Sequence, residues 1–184
     1  MEMQIVYLAL AALALGLALN LKLTLSVLRA SRRERETPAA FVSGQRVRAL
    51  EARTLVGRAR VQLVEQGQPW VLLFLSSQCP KCRGKLPEIE QMFPAAQQAG
   101  LTMWLVSQER PWRLRRFLRG TSLHAHVARL GLDPYRTLNP MMSAPAYLFV
   151  SHEGALEATG LIGDENWLSL RTQLGFDEPA QQAA

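Results

Sequence analysis

The chain has 184 residues, of which 48% are hydrophobic and 2 are cysteines, and its formal net charge is +6. That length accommodates one ordinary globular domain and a short additional segment, and two cysteines rule out a scaffold of several disulfides. Much of the positive charge lies in residues 29–60 and 110–119, where Trp112 and Phe117 are too few aromatics for a groove that binds nucleic acid. A nucleic-acid partner is therefore not expected.

The chain begins with a long apolar run. Residues 5–28, IVYLALAALALGLALNLKLTLSVL, exceed the roughly 20 residues that a helix needs to span a bilayer. Lys22 stands where its ammonium group can reach the lipid headgroups. A cleaved signal peptide is the alternative, but residues 1–4 carry no basic side chain, and no clean cleavage site follows before Arg29. We predict an uncleaved transmembrane anchor.

A basic linker at residues 29–43 follows the predicted anchor and has no periodic apolar face. Its positive residues Arg29, Arg32, Arg33 and Arg35 form a collar that anionic lipid attracts. Under the positive-inside rule this collar favours the cytoplasmic side of the membrane for the rest of the chain.

The elements of one domain follow in residues 44–175. Apolar runs and turn formers predict one or two short strands within 47–63 around a turn at Gly57, followed by buried strands at 70–75 and 101–106. A helix at 80–99 is predicted between these two buried strands, and a helix at 112–130 after them. Strands at 146–150 and 156–161 and a helix from the cap residue Asp164 to Leu174 complete the predicted domain. The alternation of strands and helices indicates an α/β fold with crossover connections. The tail, residues 176–184, is predicted to be disordered.

The two cysteines stand in the sequence Cys79-Pro80-Lys81-Cys82, between the first buried strand and the long helix. A cysteine at the amino end of a helix meets unpaired N–H groups and the positive end of the helix dipole, and both favour the thiolate. In such settings the cysteine pKa falls to about 3.5–7.5, so Cys79 is the predicted nucleophile, and Cys82, one turn further on, resolves the mixed disulfide. Pro80 fits the first helical turn, and the charge of Lys81 further stabilises the thiolate.

A metal site is the competing interpretation of the cysteine pair. A structural zinc ion needs four ligands, and beyond the cysteines only His124, His126 and His152 are available. These histidines are scattered along the chain at a helix edge and in a turn, where surface positions are the simpler interpretation. We therefore predict no metal and no other cofactor.

The same residues carry a family resemblance that covers about residues 44–175. The resemblance rests on the strand at 70–75, the Cys-Pro-Lys-Cys sequence, Pro87, Ala144-Pro145, the strand AYLFV at 146–150 and Glu153-Gly154, and it is to the thioredoxin-like superfamily. More narrowly, the anchor together with LLFLSSQCPKC resembles the membrane-anchored TlpA type, particularly the MauD proteins of methylamine utilisation. The resemblance implies a thioredoxin-like fold, in which helices flank a central mixed β-sheet.

The resemblance further implies a cis peptide bond before Pro145, with Ala144 and Pro145 facing the cysteines and pairing with a client chain. It implies a thiol:disulfide oxidoreductase that forms, isomerises or reduces disulfides in exported client proteins, such as an amine dehydrogenase subunit, and a redox partner that recycles the cysteine pair. Anchored relatives usually face the periplasm. We therefore expect a single-pass inner-membrane protein with a periplasmic domain, against the bias of the basic collar.

One departure from the family concerns Leu73, which occupies the place of a buried acid that handles the proton of the second cysteine in many thioredoxins. Proton transfer at Cys82 then needs water or another group, which weakens the case for strong reductase activity. Alternative functions are a cytochrome c maturation thiol reductase and a copper-handling protein of the Sco-like branch, which spaces its cysteines one residue further apart. A non-catalytic adaptor that docks through residues 110–119 is a further alternative, although a solvated helix face explains that stretch more simply.

Overall fold

The computed structural model describes residues 3, 4, 7, 13, 15–22, 24 and 43–176. In the N-terminal unit, residues 15–22 are helical and exposed. Within the described residues, no helix has both the length and the apolar character required to cross a membrane. The predicted anchor, linker and C-terminal tail lie largely outside the described residues.

A mixed β-sheet organises residues 43–176. Its strands in chain order are β1 (Leu50–Thr54), β2 (Arg60–Leu63), β3 (Trp70–Phe74), β4 (Thr102–Ser107), β5 (Val127–Arg129), β6 (Ala146–Val150) and β7 (Leu156–Leu161). Their order across the sheet is β2-β1-β5-β4-β3-β6-β7. The β3 strand pairs parallel to β4 and antiparallel to β6, and β4 pairs parallel to β5, so both kinds of pairing meet near the centre.

Helices cover both faces of this sheet. Within residues 43–176 they are α1 (Pro80–Gln98), α2 (Pro111–Phe117), α3 (Leu132–Leu138), α4 (Glu165–Gln173) and a 3-10 helix at Leu123–His126. Buried side chains of α1, α2 and α4 share one core cluster with Val71 and Leu73, whereas those of α3 share a second cluster with Leu72 and Phe74. Because successive residues of a strand point to opposite faces, α3 packs on one face and the other three α-helices pack on the opposite one.

The β3 strand is buried completely. Each of its five residues is at most 2% exposed, because its two edges are paired and its two faces are covered. A strand in this position needs apolar side chains on both faces, which explains the continuous apolar run in its sequence.

The α1 helix starts one short loop after β3. Its buried residues, spaced mainly by three or four positions so that they form one stripe, are Cys82, Leu86, Ile89, Met92, Phe93 and Ala96. Pro80 occupies the start of the helix, where a backbone donor is not needed. The helix stops before Gly100, whose φ of 73° is accessible to glycine without a side-chain clash.

A charged cluster fixes α4 on α1. Trp167 Nε1 donates to Glu88 Oε1 at 2.8 Å, and Lys85 Nζ donates to Glu88 Oε2 at 2.7 Å. Arg171 Nε lies 3.4 Å from Glu88 Oε1, a charge contact without hydrogen-bond geometry. Burial raises the pKa of Glu88, but the hydrogen bonds from Lys85 and Trp167 and the nearby positive charges outweigh it, so the pKa lies below its usual value. The carboxylate therefore stays ionised and paired.

The helix predicted at 112–130 is present only in its first part. The α2 helix ends at Phe117, ahead of Gly120 with its φ of 86°, and the chain continues into the 3-10 helix and then β5. This strand has three residues, but Val127 and Ala128 are buried because β5 lies between β4 and β1. The sequence did not predict the α3 helix.

The other predicted elements are confirmed with small shifts at their ends. The strands at 146–150 and 156–161 have the predicted bounds, and β4 begins and ends one residue later than predicted. Two short strands flank the Gly57 turn, as expected. Asp164 caps α4 by accepting a hydrogen bond from the Trp167 N–H at 2.9 Å.

Candidate active site

Cys79 is the residue that caps α1. Its backbone is extended, and its Sγ accepts a hydrogen bond from the Cys82 N–H at 3.4 Å. The first N–H groups of a helix have no partners within the helix, and Pro80 at the first position carries none. The sulfur of Cys79 thus takes the place that a side-chain oxygen usually has at a helix cap.

The surroundings of Cys79 favour its ionised form. Burial raises the pKa of the Cys79 thiol, but hydrogen bonds from the side chain and backbone of Cys82 and from the Lys81 backbone, together with the Lys81 charge, outweigh it. The pKa of Cys79 therefore lies below its usual value, in the direction that the sequence predicts. Pro80 and Lys81 are both exposed at the start of the helix.

Cys82 has the opposite environment. Its side chain is fully buried, and the Ser76 N–H donates to its Sγ at 3.5 Å. Burial raises the pKa of the Cys82 thiol to about 12, and the sulfur of Cys79 contributes through its charge and hydrogen bond. Both cysteines are free thiols, and their pKa values shift in opposite directions. This difference suits Cys79 to attack and Cys82 to stay protonated until a later step.

The loop before β6 lies beside the sulfur of Cys79. The Ala144–Pro145 bond is cis, which confirms the conformation implied by the family resemblance. In its thiol form, the Cys79 Sγ–H donates to the Ala144 carbonyl at 3.6 Å. The Pro145 carbonyl is occupied by the Ile162 N–H at 3.1 Å, whereas the Ala144 N–H has no acceptor among the described residues. Pro145 is buried, whereas Ala144 is half-buried.

Asn139 fixes the shape of that loop. It is buried, its Nδ2 donates to the Ser143 carbonyl at 2.8 Å, and its Oδ1 accepts from the Ser143 N–H at 3.0 Å. Tyr135 Oη lies 3.3 Å from the same Nδ2. The side chain therefore pairs with the backbone of Ser143 as a neighbouring strand would. Asn139 was not predicted from the sequence, because a single asparagine before a proline indicates only a turn.

Glu109 fixes the loop before Cys79. Its Oε1 accepts from the Ser76 hydroxyl at 3.1 Å and from the Ser77 N–H at 2.9 Å, and the Ser77 hydroxyl donates to Oε2. Glu109 follows β4 and the serines follow β3, and these parallel strands end at the same edge of the sheet. Polar residues after neighbouring parallel strands tend to meet, so the position of Glu109 after β4 is a sequence signal for this contact, although Glu109 was not predicted.

The three histidines lie elsewhere. His124 Nδ1 is 3.1 Å from the Thr121 carbonyl, the ring of His126 lies 4.4 Å from that of Phe93, and His152 is exposed next to Glu153. In the described part of the chain, no three His, Cys, Asp or Glu side chains form a group that could hold a metal ion.

The fold and the site define a thioredoxin-like domain with a cysteine pair at the start of its first helix. One similar solved structure is the thioredoxin domain of a thiol-disulfide oxidoreductase from Bacteroides vulgatus, with a TM-score of 0.61, 19% sequence identity, and coverage of 73% of this chain and 99% of that chain. Another is a thiol:disulfide interchange protein from Bacteroides sp., with a TM-score of 0.61, 18% sequence identity, and coverage of 77% of this chain and 96% of that chain. A peroxiredoxin-like protein from Aquifex aeolicus is also similar, with a TM-score of 0.55, 16% sequence identity, and coverage of 76% of this chain and 89% of that chain. At these identities the likeness concerns the fold.

The chain belongs to the AhpC/TSA family, whose sequence pattern matches residues 44–166. This range contains both cysteines, Glu109 and the cis Ala144–Pro145 bond. No curated protein sequence matches the chain.

Replacing Glu109 by alanine is expected to lower the free energy of unfolding by about 1–3 kcal/mol, because the Ser77 N–H and two hydroxyls lose their acceptor. The loss is expected near the lower end of this range, because Glu109 is only half-buried. Urea unfolding measures this change. The matched control is Glu157→Ala on the exposed side of β7, which is expected to change stability by less than about 0.5 kcal/mol. Equal losses in the two variants would contradict the role given to Glu109.

Proposed function

We propose that this chain is a thiol:disulfide oxidoreductase in which Cys79 attacks and Cys82 resolves. One observation carries the proposal: at a single helix start, the Cys79 sulfur accepts a hydrogen bond from the Cys82 N–H at 3.4 Å, whereas the Cys82 sulfur is fully buried. These surroundings lower the pKa of Cys79 and raise that of Cys82 to about 12. Pairs of titratable groups whose environments separate their pKa values are typical of sites with two distinct catalytic roles. Membership of the AhpC/TSA family and the shared fold support the same function.

In the reducing direction, the Cys79 thiolate attacks one sulfur of a client disulfide, and the other client sulfur leaves as a thiolate. The mixed disulfide is then attacked by deprotonated Cys82 at the sulfur of Cys79. A Cys79–Cys82 disulfide forms, the second client sulfur leaves, and the client thiolates take up protons from water. Two electrons have passed to the client, so a redox partner must return two electrons to the pair. The reverse sequence oxidises a client dithiol.

The proton of Cys82 controls the second step. Burial is the largest cause of its high pKa, and the charge of the Cys79 thiolate adds to it. That charge disappears once Cys79 forms a mixed disulfide, so the Cys82 pKa falls at the stage when its thiolate is needed. Leu73, fully buried in the same core cluster, provides no carboxylate for the proton. The proton of Cys82 must therefore pass to water or to another group before Cys82 can attack.

The client chain is held at Ala144. Its N–H has no acceptor within residues 43–176, and its carbonyl faces the sulfur of Cys79, so an extended client segment can pair with it once the thiol has ionised. Met141 and Met142 precede it and are 62% and 40% exposed, which adds an apolar, adaptable surface for client side chains. Asn139 holds this loop in place before the client arrives.

The N-terminal segment and the motif LLFLSSQCPKC support a narrower proposal. The chain is a single-pass inner-membrane protein of the TlpA type, similar to MauD, with an exported client such as a disulfide-rich amine dehydrogenase subunit. Client disulfides persist on the oxidising side of the membrane, which favours a periplasmic domain. The basic collar at residues 29–35 favours the opposite orientation, so the location needs its own experiment.

Replacing Cys82 by alanine is expected to trap mixed disulfides between Cys79 and a disulfide-bonded model peptide, because the resolving sulfur is gone. The Cys79→Ala variant is expected to yield at least about tenfold less adduct, since its remaining thiol is buried and poorly ionised. Mass spectrometry under non-reducing conditions detects the adducts. Equal trapping by the two variants would contradict the assignment of roles.

Alkaline phosphatase fused after Phe176 tests the proposed orientation, because this reporter folds only where disulfides form. We expect the fusion to be active in cells, and a β-galactosidase fusion at the same position to be inactive. The reverse pattern would place the domain in the cytoplasm and overturn the periplasmic proposal, while leaving the chemistry at Cys79 to be judged by trapping.

A further inference from the structure

A cleft with basic walls opens next to Cys79. It has a volume of about 280 Å³, and its lining includes Ser77 and Gln78, the two residues before the nucleophile. The lining also includes Arg83 of α1 and the α2 residues Trp112, Arg113 and Arg116. We refer to this site as the basic cleft.

The charges of the basic cleft are not neutralised within the domain. Among the described residues, no carboxylate forms an ion pair with Arg83, Arg113 or Arg116. Glu109, near one end of the cleft, uses its carboxylate on Ser76 and Ser77. Three arginines therefore line one small volume without an acidic partner from the described part of the chain.

Aromatic rings hold two of these guanidinium groups in position. Arg83 Cζ lies 5.4 Å from the centroid of the Phe117 ring, and Arg113 Cζ lies 5.3 Å from that of Trp112. A ring face attracts the cation without removing its charge, and the N–H donors at the edge of the guanidinium stay available. Trp112 is 54% exposed, and exposed tryptophan and arginine are the residue types enriched where proteins bind one another.

The helix dipole explains only part of this arrangement. Arg116 lies in the last turn of α2, where a positive charge is favourable. Arg83 lies in the first turn of α1, where no acidic residue is present and where the dipole disfavours a cation. The helix dipole therefore does not explain the position of Arg83.

We propose that the basic cleft binds an acidic segment of the protein that exchanges disulfides with Cys79. This inference rests on the proposed function, because Ser77 and Gln78 join the cleft directly to the nucleophile. Carboxylates pair with guanidinium groups through charge-assisted hydrogen bonds, so Asp or Glu side chains close to the reacting disulfide are the matching chemistry. The attraction guides a partner of that charge to Cys79 and disfavours basic ones.

The experiment uses the full chain in detergent micelles and three disulfide-bonded peptides that differ only in four flanking residues, all Asp, all Asn or all Lys. At low ionic strength we expect the second-order rate constant to be about tenfold higher for the acidic than for the neutral peptide. Added salt is expected to shrink this difference. In the Arg83→Gln/Arg113→Gln/Arg116→Gln variant, the preference for the acidic peptide is expected to disappear.

The matched control replaces Arg46, Arg48 and Arg136, which are exposed and do not line the cleft, by glutamine. This control variant changes the net charge as much as the cleft variant does, and it is expected to keep the preference for the acidic peptide. Urea unfolding verifies that both variants are folded. Equal loss of preference in both variants, or equal rates with the acidic and neutral peptides in the parent chain, would overturn the inference alone. No exchange with any peptide would overturn the proposed function, and the inference with it.

Discussion

The hydrogen bond from the Cys82 N–H to the sulfur of Cys79 is the interaction on which the site depends. A helix needs acceptors for its first N–H groups, and here a sulfur supplies one of them. The bond caps α1 and also stabilises negative charge on Cys79, so the stability of the helix start and the reactivity of the thiol have one origin. Cys82 has two roles. Its backbone N–H stabilises the Cys79 thiolate, and its buried sulfur is the group that reacts in the second step.

Two side-chain clamps hold the loops that surround this bond. Glu109 binds the serines between β3 and α1, and Asn139 binds the backbone of Ser143 before the cis bond. Glu109 fixes the loop that joins β3 to Cys79, and Asn139 fixes the position of Ala144. Both act before any client binds, so the partners of the reacting sulfur are already placed, and little binding energy is spent on ordering them.

The sequence was informative where a local pattern reflects burial. The apolar run of β3 and the Cys-Pro-Lys-Cys sequence both predicted what the structure has, because a covered strand and a helix start leave marks on neighbouring residues. The three residues of β5 carry no such local pattern, because their position in the sheet is determined by pairing with β4 and β1, which are distant in the chain. The cis bond at Pro145 came from resemblance alone. Glu109 could have been found from the parallel strands, whereas Asn139 acts through one loop geometry that no spacing encodes.

The most direct test is the rate at which iodoacetamide alkylates Cys79 as a function of pH, followed by peptide mass spectrometry on the full chain. Only the thiolate reacts, so the rate rises with pH through the pKa, and a lowered pKa moves this rise to lower pH. We predict a midpoint for Cys79 below that of the same residue in urea, where an ordinary thiol titrates at about 8.5. We predict no comparable reaction of Cys82 until much higher pH. A folded midpoint equal to or above the unfolded one would contradict the role of the helix start in activating Cys79.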